Sequence, residues 1–159
     1  MISTHTMIIR GCLILLKTGK ENMCNIRKVR LDVIDGGCFS QCDICVHKFD
    51  RNWIKQVVTE DIKKGNYRIG LVDDHDVFHV KYVGRSTDQI LQTRILQHTD
   101  DYDDNYYFEF KSASSDYVAV MRECIDYHSF GGSDYLDNDI HPALPEGMEC
   151  PWPGCGRKG

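Results

Sequence analysis

The stretch "HVKYVGRSTDQILQTRILQH" (79–98) decides the reading of this chain. It opens with alternating apolar and β-branched residues, as a strand does, breaks at Gly84 and continues with helical spacing. Ser86 and Thr87 are candidate caps for a helix running through His98. Arg94 and His98 stand four residues apart, which puts them on one helix face. Tyr82, Arg85, Arg94 and His98 therefore lie along one short path.

The flanking segments follow the same logic. "RNWIKQVVTEDIKKG" (51–65) carries apolar residues at helical spacing and stops on Gly65, so one helix is expected there. "NYRIGLV" (66–72) and "VFHVKYV" (77–83) read as two strands of a hairpin joined by "DDHD". "YYFEFK" (106–111) is a third strand. "SSDYVAVMRECIDYHSF" (114–130) is a helix capped by Ser114 or Ser115 and stopped by Gly131 and Gly132. The expected fold is α/β of the α+β kind. It is a small three-stranded antiparallel sheet flanked by helices, with a cysteine-containing N-terminal segment and an irregular tail. The expected division is a cysteine-rich extension over 1–48, a central domain over 49–145 and a tail over 146–159.

The 159 residues suit one compact domain with a small appendage. Their longest apolar run, "MIIRGCLILL" (7–16), is too short to cross a membrane and lacks a signal-peptide cleavage pattern. It is expected to be a buried strand or a non-native leader, the latter covering residues 1–22, since Met1, Met7 and Met23 are all candidate starts. No membrane association and an intracellular location are expected. Net charge is −5, which argues against a general phosphate-coating protein. Five Lys/Arg concentrate in 17–30, and four Asp in "TDDYDDN" (99–105) read as a solvated loop.

In chain order, "GNY" (65–67), "YVG" (82–84), Arg94, His98, the helical Glu123 and Asn138 in "LDNDIHP" form a constellation. Taken singly, each has a plain structural reading: strand aromatics, a solvated helix face, a surface Glu, a turn-forming Asn. Taken in order, they resemble the GIY-YIG endonuclease domain over roughly residues 64–155. "LDNDIHPALPEGMECPWPGC" is similar to the tail of some of its members. Asn66 departs from the usual Ile and is expected to face away from the site.

The resemblance implies hydrolysis of DNA phosphodiesters with Mg²⁺ or Mn²⁺ held by Glu123, a hard oxygen ligand. Arg94 would bind phosphate oxygens. Tyr67 would act as general base or water-positioner, Tyr82 and His98 would orient the phosphate, and Asn138 would brace the site. Arg85 and Lys81 are expected nucleic-acid contacts. A catalytically inactive, zinc-stabilised binding module of the same fold, for nucleic acid or protein, is the alternative. A zinc ribbon with an accidental nuclease-like order is a weaker one.

Eight cysteines without a secretory signal favour metal ligation or free thiols over disulfides. "CFSQCDIC" (38–45) has the spacing of radical-SAM cluster motifs, but the chain is too short for the barrel those enzymes need. Pairing Cys42 and Cys45 with Cys150 and Cys155 would make a structural zinc site, with Cys38 or His47 as substitute ligands. Unligated thiols are the alternative, and Cys12, Cys24 and Cys124 read as core or incidental. His75 and His79 are expected at the surface.

Overall fold

A computed structural model describes residues 5–9, 12–16, 46–75 and 77–159. Within the apolar run at 7–16, Met7 to Ile9 belong to β1 (His5–Ile9) and Cys12 to Leu16 form β2 (Cys12–Leu16), paired antiparallel; residues 10 and 11 lie outside the described residues.

The main sheet has four strands in the order β3-β6-β4-β5, all antiparallel. They are β3 (His47–Lys48), β4 (Gly65–Val72), β5 (Phe78–Ser86) and β6 (Tyr107–Ser112). The expected three-strand sheet thus gains a fourth member. His47 pairs with Phe108 and Lys48 with Tyr107, so the sheet begins within the segment assigned to the extension. Two residues are too few to show a strand period. The expected hairpin is present as β4–β5. Asp73 closes it, its carboxylate accepting from the backbone N–H of His75 (2.9 Å) and Val77 (3.0 Å). His75 and His79 are exposed, as expected.

The helices are shorter than their sequence patterns. Asp50 caps α1 (Arg51–Val57) by accepting from the N–H of Asn52 and Trp53. The helix ends eight residues before Gly65, where the expected pattern stops. Val57, Val58 and Thr59 are β-branched and weaken a helix. Val58 takes an extended conformation and is fully buried. Buried Gln92 then receives the freed helix end, its amide donating to the Val58 carbonyl at 2.6 Å.

Strand β5 continues through Ser86, so neither Ser86 nor Thr87 caps the next helix. Ser86 Oγ instead donates to the Gln89 carbonyl at 2.5 Å, and α2 (Leu91–Leu96) starts from Ile90 without a side-chain cap. A 3₁₀ turn over Gln97–Asp100 follows and carries His98. The last helix, α3 (Asp116–Ser129), is capped by Ser115, which accepts from the Val118 N–H. Gly131 ends it in the left-handed region, at φ +92°.

These elements make two layers around the sheet. Tyr67, Ile69 and Phe108 pack on one face with Ile54, Val58, Leu91 and Ile95 of the α1–α2 layer. Val83 packs on the other with Tyr127 of α3 and Leu136. Among the described residues no helix is long and apolar enough to cross a membrane.

Candidate functional site

Strand alternation sends Tyr67 of central β4 toward α2 and its neighbour Asn66 toward α3. Asn66 donates to the Ala119 carbonyl of α3 at 2.8 Å, so it faces away from Tyr67 as expected. Among the strand glycines, Gly65 and Gly84 bear on the site, and close approach leaves neither room for a Cβ. A Cβ at Gly65 would meet the Lys111 carbonyl oxygen at 2.6 Å, and one at Gly84 would meet the Tyr67 ring at 2.4 Å.

The structure brings Tyr67, Tyr82 and His98 into one cluster. Tyr67 OH and His98 Nε2 are 2.8 Å apart. The Tyr82 and His98 rings lie 4.6 Å apart and the two tyrosine rings 6.2 Å, at 27°. Tyr102, not singled out from the sequence, edges the cluster 6.2 Å from Tyr82. The Asp101 carboxylate stands 3.4 Å from His98 Nδ1. Asp101 favours a hydrogen on Nδ1, which leaves the Nε2 lone pair to accept the Tyr67 hydroxyl. The Arg94 charge acts on both tyrosine phenols, and its guanidinium donates to Gln97 Oε1 at 2.8 Å.

The electrostatics set each group's protonation. Burial pushes the Tyr67 phenol well above its ordinary value, Tyr82 adds to this, and Arg94 opposes it. Burial likewise raises Tyr82. His98 is lowered by burial first and by Arg94 second, against the pull of Asp101. At neutral pH the cluster therefore holds protonated phenols, a neutral imidazole and a guanidinium.

Glu123 lies on α3 and is buried. Burial raises its carboxyl, and the Arg85 guanidinium holds it down. The two form an ion pair, and Arg85 also donates to the Ala143 carbonyl at 2.8 Å. Both of these Arg85 contacts are made within the fold. Lys81 is half-buried on β5, and its carbonyl accepts from the Asp137 N–H at 2.6 Å. Asn138 grips Val83 of the same strand with both ends of its amide. Oδ1 accepts from the Val83 N–H at 3.0 Å, and Nδ2 donates to the Val83 carbonyl at 2.9 Å. This fastens the tail to an edge strand.

A second cluster forms on the tail. His128, His141, Cys150 and Cys155 bring one ligand atom each within 4.8 Å of one another, a set that could hold a metal ion such as zinc. Cys150 and Cys155 were expected in such a site. The structure supplies His128 of α3 and His141 where Cys42 and Cys45 were expected; those two residues and Cys38 lie outside the described residues. His47, the other substitute considered, instead packs its ring 5.5 Å from Phe108. Cys124 is buried near Cys150, its thiol pushed up to about 12 by desolvation first and Cys150 second. The signal for His128 was its place one turn after Cys124 on the helix ahead of the Cys-containing tail.

Comparison of the chain with protein-family models, with curated proteins and with solved structures finds no match.

Proposed function

We propose that the chain is a metal-dependent endonuclease of the GIY-YIG type acting on DNA. The observation that carries this is the 2.8 Å contact of Tyr67 OH with His98 Nε2, beside Tyr82 and Arg94. A buried Tyr–His pair under a guanidinium has a plain use in phosphodiester hydrolysis. The phenol oxygen takes a proton from the attacking water as its own proton passes to neutral His98. That spares the site a free phenolate, which burial disfavours. Asp101 steadies the imidazolium so formed. Arg94 offers a planar fork to the phosphate oxygens as charge builds on them. Tyr82 is half-buried, with its hydroxyl near Arg94, and orients the same phosphate.

Glu123 fits a Mg²⁺ or Mn²⁺ that keeps most of its waters, because such ions bind through one or two carboxylates plus substrate phosphate. Bound there, the ion would neutralise charge developing on the leaving side. Arg85 tunes the carboxylate by pairing with it and positions it from β5. Plasmid nicking with Mg²⁺ or Mn²⁺ tests the proposal. Wild type is expected to cut, while Glu123→Gln and Tyr67→Phe lose cleavage. Absence of cleavage by folded wild type on supercoiled, linear and branched DNA overturns it.

The second reading is a binding module of the same fold. Two observations favour it: Tyr67 is only 1% exposed, and Glu123 is already satisfied by Arg85. DNA binding by a wild type that does not cut, unchanged in Glu123→Gln, is its expected signature.

A further inference from the structure

We infer that His128, His141, Cys150 and Cys155 bind one zinc ion, and that this ion is the clasp holding the tail to α3.

The donor set comes first. Two imidazoles and two thiols are the borderline-soft donors that zinc takes in closed tetrahedral sites, while Mg²⁺ and Ca²⁺ prefer oxygen. The spacing agrees. Zn–S of about 2.3 Å and Zn–N of about 2.0 Å, at a tetrahedral angle, put S and N roughly 3.5 Å apart. Cys150 Sγ lies 3.4 Å from His128 Nε2, and Cys155 Sγ lies 3.5 Å from His141 Nε2. Two separate S–H···N hydrogen bonds would account for those pairs. They would not account for all four atoms lying within 4.8 Å of one another.

The tautomer of His141 is independent support. Its Nδ1 lies 2.8 Å from the Pro142 carbonyl oxygen. A carbonyl only accepts, so Nδ1 carries the hydrogen and the lone pair is on Nε2, the atom facing the thiols. Metal-bound histidines are commonly oriented by a hydrogen bond of this kind. Trp152 stacks on the His128 ring, 5.4 Å between centroids and 15° between planes, and covers one side of the cluster.

The tail also lacks a core of its own. None of residues 146–159 is buried. The turn carrying the two cysteines is closed by the Glu149–Lys158 bridge, with Gly154 and Gly156 at positive φ. A segment without a core commonly draws its folding energy from a metal. The clasp reaches the other site as well. Ala143, between His141 and Cys150, accepts the Arg85 guanidinium that pairs with Glu123. Zinc is thereby placed to steady Arg85 from a distance.

The test uses the full chain, purified in reductant without chelator, and reads metal content by elemental mass spectrometry. About one zinc per chain is expected in wild type and in Cys42→Ser/Cys45→Ser. Cys150→Ser/Cys155→Ser and His128→Asn/His141→Asn are expected to lose it. Cobalt exchanged into wild type keeps the test decisive where those variants do not fold. Tetrahedral ligand-field bands with charge transfer from two thiolates support the site. Wild type that takes up neither metal, a four-thiolate cobalt spectrum, or zinc lost only from the Cys42/Cys45 variant overturns it.

Discussion

The ring of Tyr67 lies on Gly84, its cross-strand partner in the β4–β5 ladder. A Cβ at position 84 would sit 2.4 Å from both Cζ and the phenol oxygen of Tyr67. The contact ties the two strand motifs into one object: the glycine of "YVG" is the floor on which the tyrosine of "GNY" rests.

Gly84→Ala is therefore expected to act on stability and activity together. The added methyl group must displace a fully buried ring in a packed core, at about 1–3 kcal/mol. Moving the Tyr67 hydroxyl off His98 by about an ångström is expected to lower nicking on the order of a hundredfold. Thermal melting and single-turnover cleavage read the two effects. A Gly84→Ala protein that melts and cuts like wild type would show that the ring does not need this seat.

Asn138 replaces the missing neighbour of edge strand β5 at Val83, using both of its amide functions. Asn138→Ala is expected to cost about 1–3 kcal/mol, because both Val83 backbone groups lose their partner. Asn138→Asp keeps the acceptor for the Val83 N–H but turns an oxygen toward the Val83 carbonyl, so it too is expected to destabilise. Urea titrations followed by tryptophan fluorescence give the comparison. Unchanged midpoints in both variants would mean that the tail is not fastened here.

Arg68 is a cation shared between two acids on the α3 face of the sheet. It meets Asp126 with two parallel contacts, Nε to Oδ2 at 3.0 Å and Nη2 to Oδ1 at 2.7 Å, and it also pairs with Glu109. Its guanidinium lies over the Phe130 ring, 5.2 Å from the centroid. Arg68→Leu takes the forked partner from the shielded Asp126 carboxylate and is expected to cost about 3–5 kcal/mol. Arg68→Lys cannot reproduce the fork and is expected to recover only part of that. Adding Asp126→Asn to Arg68→Leu is expected to restore part of the lost stability. If the double variant is as unstable as the single one, packing, not the stranded Asp126 charge, governs this position.

What the sequence disclosed and what it hid follow from the range of the interactions. The β4–β5 hairpin, β6 and α3 were legible because their period and caps are local, as at Ser115 and Gly131. The early end of α1 was not, because Gln92, thirty-four residues after Val58, receives the helix end. Strand β3 exists only through its pairing with β6. The nearness of Tyr67, Tyr82, Arg94 and His98 followed from their order along the chain, whereas Asp101 and Tyr102 looked like parts of a solvated acidic loop. The ion pair of Arg85, expected as a nucleic-acid contact, was hidden because its partner Glu123 lies on another element. The tail cysteines signalled a candidate metal site, but the histidines that complete the cluster come from α3 and from "DIHP" (139–142), a pairing that spacing alone does not reveal.

His98 makes the protein sensitive to acid. Its folded value lies below the ordinary 6.5, through burial and Arg94, so the unfolded chain binds a proton that the folded one refuses. The stability held by the neutral ring is present above pH 6.5 and is lost as pH falls below it toward the depressed value. Glu123 works in the opposite direction. Its raised carboxyl keeps a proton in the fold, so its contribution is lost as pH rises from the ordinary 4.5 toward the raised value. Urea midpoints measured from pH 7.5 to 5.5 are expected to fall more steeply for wild type than for His98→Gln, and more steeply for Glu123→Gln than for wild type wherever the two windows overlap. Cleavage is expected to fall with the same protonation, because a charged imidazole cannot take the Tyr67 proton. A His98→Gln protein with the wild-type slope would place the acid sensitivity elsewhere, and would remove His98 as the acceptor in the proton transfer.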